Sequence, residues 1–130
     1  MIQIYDDETL SAALGGSADA ELALLVKSIA DGSRASDLWA LTCILIVEPC
    51  DSGSELEGAL GFDPLTGPLH EPGEPFVPYW SWLGRRGDWH QMLVTAGDSG
   101  FAWFLLVPDR GADRSGLAAL CRAHAAKPET

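Results

Sequence analysis

The sequence predicts an α+β protein, with a central, mostly antiparallel sheet and covering helices, one of them C-terminal. Three observations carry this. Leu38–Val47 (LWALTCILIV) and Phe101–Val107 are apolar on both alternating faces, and strands of that kind are inner strands covered on both sides. Gly87–Pro108 reads as two strands around Ala96-Gly97-Asp98-Ser99-Gly100, so a β-hairpin over about 88–107 is expected. Segments 18–30 and 113–125 repeat apolar residues at helical spacing, which marks helices with one apolar face.

Taken in order, Met1–Tyr5 alternates and suits an edge strand. Asp6 or Asp7 can cap a short helix over Glu8–Leu14, ended by Gly15-Gly16. Ser17 or Asp19 can cap a second helix to about Ala30, with Leu22, Leu25, Val26 and Ile29 on one face and Asp31-Gly32-Ser33 closing it. The β-branched content of Leu38–Val47 favours strand, and Pro49 stops it. Ser54 and Glu57 fit a capping box opening a helix to Leu60. Phe62–Pro78 holds five of the eight prolines; proline lacks a donor and fixes φ, so an ordered, packed loop is expected. Tyr79–Leu83 (YWSWL) suits a helical turn somewhat better than a short strand. Asp113 or Ser115 can cap the last helix, which lays Leu117, Leu120, Cys121 and His124 along the sheet.

At 130 residues and 47% hydrophobic content, residues 1–130 are expected to form one domain with an ample core. The net charge of −11 is uneven: residues 1–84 hold 14 acidic and 2 basic side chains, residues 85–130 hold 5 and 6. Direct nucleic-acid binding needs clustered Lys and Arg and is not expected. The acidic N-terminus does not resemble a secretory signal, and an apolar run of about ten residues is too short for a bilayer. No membrane association is expected. Three cysteines without framework spacing suit a cytoplasmic protein with reduced thiols.

The histidines His70, His90 and His124 form no ligand-spaced motif, so no metal and no cofactor are expected. His124 suits the negative end of its helix. Gly97-Asp98-Ser99-Gly100 matches turn chemistry rather than a protease nucleophile. Eight aromatic residues lie between Phe76 and Phe104. Among them Phe76, Tyr79, Trp80 and Trp82, with Arg85 and Arg86, have the composition of an interface hot spot. A second candidate surface is acidic: Asp51, Glu55, Glu57, Asp63, Glu71 and Glu74. Catalytic residues are not assigned.

FDPLTGP, the hairpin stretch GDWHQMLVTAGDSGFAWFLLVP and LAALCRAHA together resemble a group of small acidic proteobacterial proteins that accompany conjugative or other mobile DNA. The resemblance covers roughly residues 38–126. It implies a bacterial accessory protein and carries no site residues.

The expected function is a non-enzymatic protein-binding or regulatory protein, whose partner is another protein or a second copy of itself. Two alternatives stand beside it. One is a nucleic-acid mimic that uses the acidic residues against a DNA-binding protein. The other is a small enzyme built on His90 and Asp88, with Cys50 or His70.

Overall fold

The computed structural model describes residues 2–16, 19–48, 51–60, 78–96, 102–109 and 114–125. Within them one five-stranded sheet carries four α-helices. The strands are β1 (Ile2–Ile4), β2 (Thr42–Ile46), β3 (Pro78–Arg86), β4 (Trp89–Ala96) and β5 (Ala102–Pro108), in the spatial order β1-β2-β5-β4-β3. The helices are α1 (Asp7–Gly16), α2 (Ala20–Ala35), α3 (Gly53–Leu60) and α4 (Leu117–Ala125). The α+β class, the β4–β5 hairpin and the C-terminal helix are all present.

β2 and β5, the two strands apolar on both faces, lie side by side at the centre of the sheet. Their pairing is parallel, with Thr42 opposite Ala102 and Ile46 opposite Leu106, while every other pairing is antiparallel. One face gathers Leu45, Val47, Trp80, Met92, Val94, Leu105 and Val107 against Leu56 and Leu60 of α3 and Leu117, Ala118 and Cys121 of α4. The opposite face packs Ile44, Ile46, Trp89 and Leu106 against Ile4, Leu10 of α1 and Leu25, Val26 and Ala30 of α2. Burying each large side chain in these layers contributes about 1.5–3 kcal/mol. Strand alternation therefore splits β5 between two cores: Leu105 serves one and Leu106 the other.

Tyr79–Leu83 is strand, not a helical turn. Trp80 and Trp82 follow a period of two onto one core, and a two-residue turn at Gly87-Asp88 sets the register with Arg86 opposite Trp89. Gly87 has φ +58° and no other residue of that turn is positive, the pattern of a type II′ hairpin turn with glycine first.

The strand expected over 38–47 is shorter. Trp39–Leu41 forms a 3₁₀ turn and only Thr42–Ile46 is strand. The Thr42 hydroxyl donates to the Leu38 carbonyl at 2.8 Å, and the Arg34 guanidinium lies over the Trp39 ring. These contacts hold the turn that the apolar pattern concealed.

α2 runs five residues past Ala30. Asp31-Gly32-Ser33 remains helical, and the helix stops at a Schellman-type end. Asp37 takes a left-handed φ of +59°, Leu38 N–H donates to the Ser33 carbonyl, and Asp37 N–H donates to that of Arg34.

The α3 capping box sits two residues earlier than expected. The Glu55 amide donates to the Ser52 hydroxyl at 3.3 Å, and the Ser52 amide donates to the Glu55 carboxylate at 3.4 Å. Among the described residues no helix is long and apolar enough to cross a membrane.

Candidate functional site

Two features stand out, at opposite ends of β4 and β5 and on opposite faces of the sheet. The first is a polar cluster where β4 begins and β5 ends. His90 is fully buried (0% exposed). Its Nδ1 accepts the indole N–H of Trp82 at 3.2 Å, and its Nε2 lies 3.2 Å from Oδ2 of Asp109. The same Oδ2 accepts Arg85 at 2.8 Å, and Oδ1 accepts Arg122 of α4. One carboxylate, with a side chain only 8% exposed, thus ties β3, β4 and α4 together.

A β-bulge makes this possible. The β3–β4 register shifts between Trp82 and Gly84, where Gly84 has φ +143°. Without the shift, Trp82 and Arg85, three residues apart, would point to opposite faces. With it, Arg85 stands opposite His90, on the Trp82 side. Arg86 then falls on the α2 face, where it pairs with Glu21 at 2.5 Å.

Burial alone would push the Asp109 carboxyl up. Hydrogen bonds from Arg122 and His90, with the charges of Arg122 and Arg85, more than offset this and hold it below the usual carboxylate range. The Asp88 carboxylate is exposed, 3.9 Å from Arg85, and the carboxylate bonded to His90 is that of Asp109. Both ring nitrogens of His90 are bonded to protein groups. The α4 imidazole of His124 packs edge-on to Trp80 (5.4 Å) and tilted against Trp82 (5.9 Å).

The second feature is a recess of about 380 Å³ between the C-terminal half of α2 and the sheet. Ile29, Leu38, Leu41, Leu93, Ala102 and Phe104 supply its apolar lining, and Ser28, Ser33, Ser36 and Thr42 its hydroxyls. Leu38 is 50% exposed and Leu41 36%. No described lining residue is ionisable. A second recess, of about 370 Å³, shares Leu41, Thr42 and Ala102 and is lined also by Tyr5, Cys43 and Trp103. Burial pushes the Cys43 thiol up, away from the reactive thiolate.

The expected aromatic patch does not assemble as an exposed surface among the described residues. Trp80 is 5% exposed and belongs to the core. Its indole nitrogen has no hydrogen-bond partner among the described residues. Trp82 is half-buried, bonded to His90. Arg85 and Arg86 are exposed but paired with Asp109 and Glu21. The Phe76 residue and the Tyr79 side chain lie outside the described residues.

Of the acidic candidates, Asp51 is not at the surface. It is 6% exposed, and its Oδ2 accepts the Glu48 amide. Glu55 closes the α3 cap and Glu57 is exposed. Asp63, Glu71 and Glu74, like Cys50 and His70, lie outside the described residues. No group of three or more His, Cys, Asp or Glu among the described residues is placed to hold a metal ion.

Sequence reasoning passed over Asp109 and the Leu38–Leu41 surface. Asp109 directly follows an inner strand, which was a usable signal. Nothing in the apolar run 38–47 distinguished its exposed leucines from its buried ones. Compared with protein-family models, with curated proteins and with solved structures, the chain matches none.

Proposed function

We propose that this is a non-enzymatic binding protein of the cytoplasm that receives an apolar segment of another protein in the recess beside α2. One observation carries the reading: Leu38 and Leu41 line that recess, remain exposed, and have no ionisable neighbour in its described lining. A charged ligand group there would lose its hydration without a counter-charge. An apolar side chain would gain about 25 cal/mol per Å² buried. The free thiol of Cys43 suits a reducing compartment.

The test is site-specific photo-crosslinking in living cells. A photoreactive residue at Leu38 is expected to give a discrete adduct that disappears with Leu41→Asp. An adduct with a second copy identifies self-association as the binding event. The same adducts from exposed Glu57, or their persistence in Leu41→Asp, sink the reading.

A further inference from the structure

The Trp82–His90 hydrogen bond tolerates only one protonation state of the imidazole. An indole N–H donates and cannot accept. Its partner, Nδ1 of His90 at 3.2 Å, must therefore hold a lone pair. The ring proton then sits on Nε2, facing Oδ2 of Asp109 at 3.2 Å. A proton on Nδ1 would set two N–H groups against each other, and the bond to Trp82 would break.

The charged and titratable groups around the ring come from every element of the cluster. Asp109, after β5, favours a cation at His90. Arg85 from β3 and Arg122 from α4 already occupy its two oxygens and oppose a third positive charge. Asp88, in the hairpin turn, lies 3.9 Å from Arg85. His124, from α4, lies across the Trp82 ring. His90 is fully buried and Asp109 nearly so, so neither can swing to solvent. Trp82 can. It is half-buried, on an edge strand, and next to the bulge at Gly84.

We propose that the Trp82–His90 bond is an acid-sensitive latch, in which proton uptake by His90 expels the Trp82 indole from between β4 and α4 and turns it to solvent. His124 then loses one of its two ring contacts and keeps the one to Trp80. The latch lies at the other end of β4 from the recess and does not rest on the binding role proposed there.

Proton–nitrogen NMR on the full chain tests it, following the Trp82 indole and His90 imidazole signals from pH 8 to pH 4.5. Trp82→Phe identifies the indole signal. In the wild type, the Trp82 signal is expected to lose its hydrogen-bonded shift at the midpoint where His90 titrates. By linkage, the indole N–H competes with a proton for the Nδ1 lone pair, and that midpoint reports the competition. Trp82→Phe is therefore expected to raise it by about half to one pH unit, the worth of one hydrogen bond. In His90→Asn the side-chain oxygen can accept the indole without titrating, so the Trp82 signal is expected to hold across the range. If His90→Asn fails to fold, Trp82→Phe carries the test alone. A Trp82 signal that stays put while His90 titrates, or an unmoved midpoint in Trp82→Phe, overturns the latch.

Discussion

The two ends of β4 use their polar groups in opposite ways. Where the strand begins, side chains reach between elements. Asp109 joins β3, β4 and α4 on one face. On the other face the α2 cap, Asp19, uses one oxygen on the Glu21 and Leu22 amides and the other on the Trp89 indole at 2.8 Å. Where the strand ends, the hydroxyls of Ser33 and Thr42 bond to each other at 3.3 Å, and apolar side chains face an open recess. Long-range bonds close a fold, because each removes freedom from two elements at once. Apolar surface left uncovered does not. The cross-linked end should therefore be costly to mutate, and the open end tolerant.

The largest expected effect is at the core beside the cluster. Trp80→Ala should destabilise by about 3–5 kcal/mol, read from urea unfolding, since it empties a site between β3, β4 and α4. An effect below 1 kcal/mol would mean that the α4 side of the sheet is not the closed one.

Asp109→Ala should cost about 1–3 kcal/mol, because buried His90 loses its acceptor. This contribution depends on pH, and its sign follows from the lowered carboxyl value. Stability from a depressed carboxylate is complete above the unfolded-state value and is lost as pH falls through the folded one. The wild type should therefore lose stability towards acid more steeply than Asp109→Ala. Parallel profiles would break the comparison. Asp6, held low by the Thr9 amide and hydroxyl, shifts in the same direction and persists in both proteins, so it does not create the difference.

Asp19→Ala should cost about 1–2 kcal/mol, the upper part of the range for a helix cap, because the Trp89 indole loses its partner as well. At the open end, Leu38→Ser should fall within about 0.5 kcal/mol of wild type. A cost above 1 kcal/mol there would show that Leu38 supports the fold and is not held free.

Much of the architecture could be read from local chemistry. The two apolar faces of 38–47 and 101–107 required inner strands, and 42–46 and 102–108 form them. The turn residues at 96–100, most of them outside the described residues, and the helical periodicity of 18–30 and 113–125 pointed to a hairpin and two helices, and the β4–β5 pairing, α2 and α4 are present. The failures share a cause. Leu38 and Leu41 look like Leu45 in sequence, but the strand starts only at Thr42, where pairing with Ala102 begins. Ser54–Glu57 and Ser52–Glu55 fit a capping box equally well, and the second is the one formed once Leu56 and Leu60 enter the core. Tyr79–Leu83 is short enough to be either helix or strand, and β4 decides it by supplying backbone partners.

The candidate sites divide the same way. Composition alone required a large core and argued against a phosphate-binding surface, because both follow from totals of apolar and charged groups. Which tryptophan is core, which carboxylate is buried, and which histidine is bonded on both ring nitrogens depended on contacts between residues far apart in the chain. Trp82 and Trp80 differ by two positions, yet one indole finds His90 and the other finds no acceptor among the described residues. Arg85 reaches Asp109, 24 residues on, only because one extra residue in β3 turns it to the right face. Periodicity is a property of neighbours and can be read along the chain. A hydrogen bond between distant side chains exists only once the sheet register has brought them within 3 Å or so.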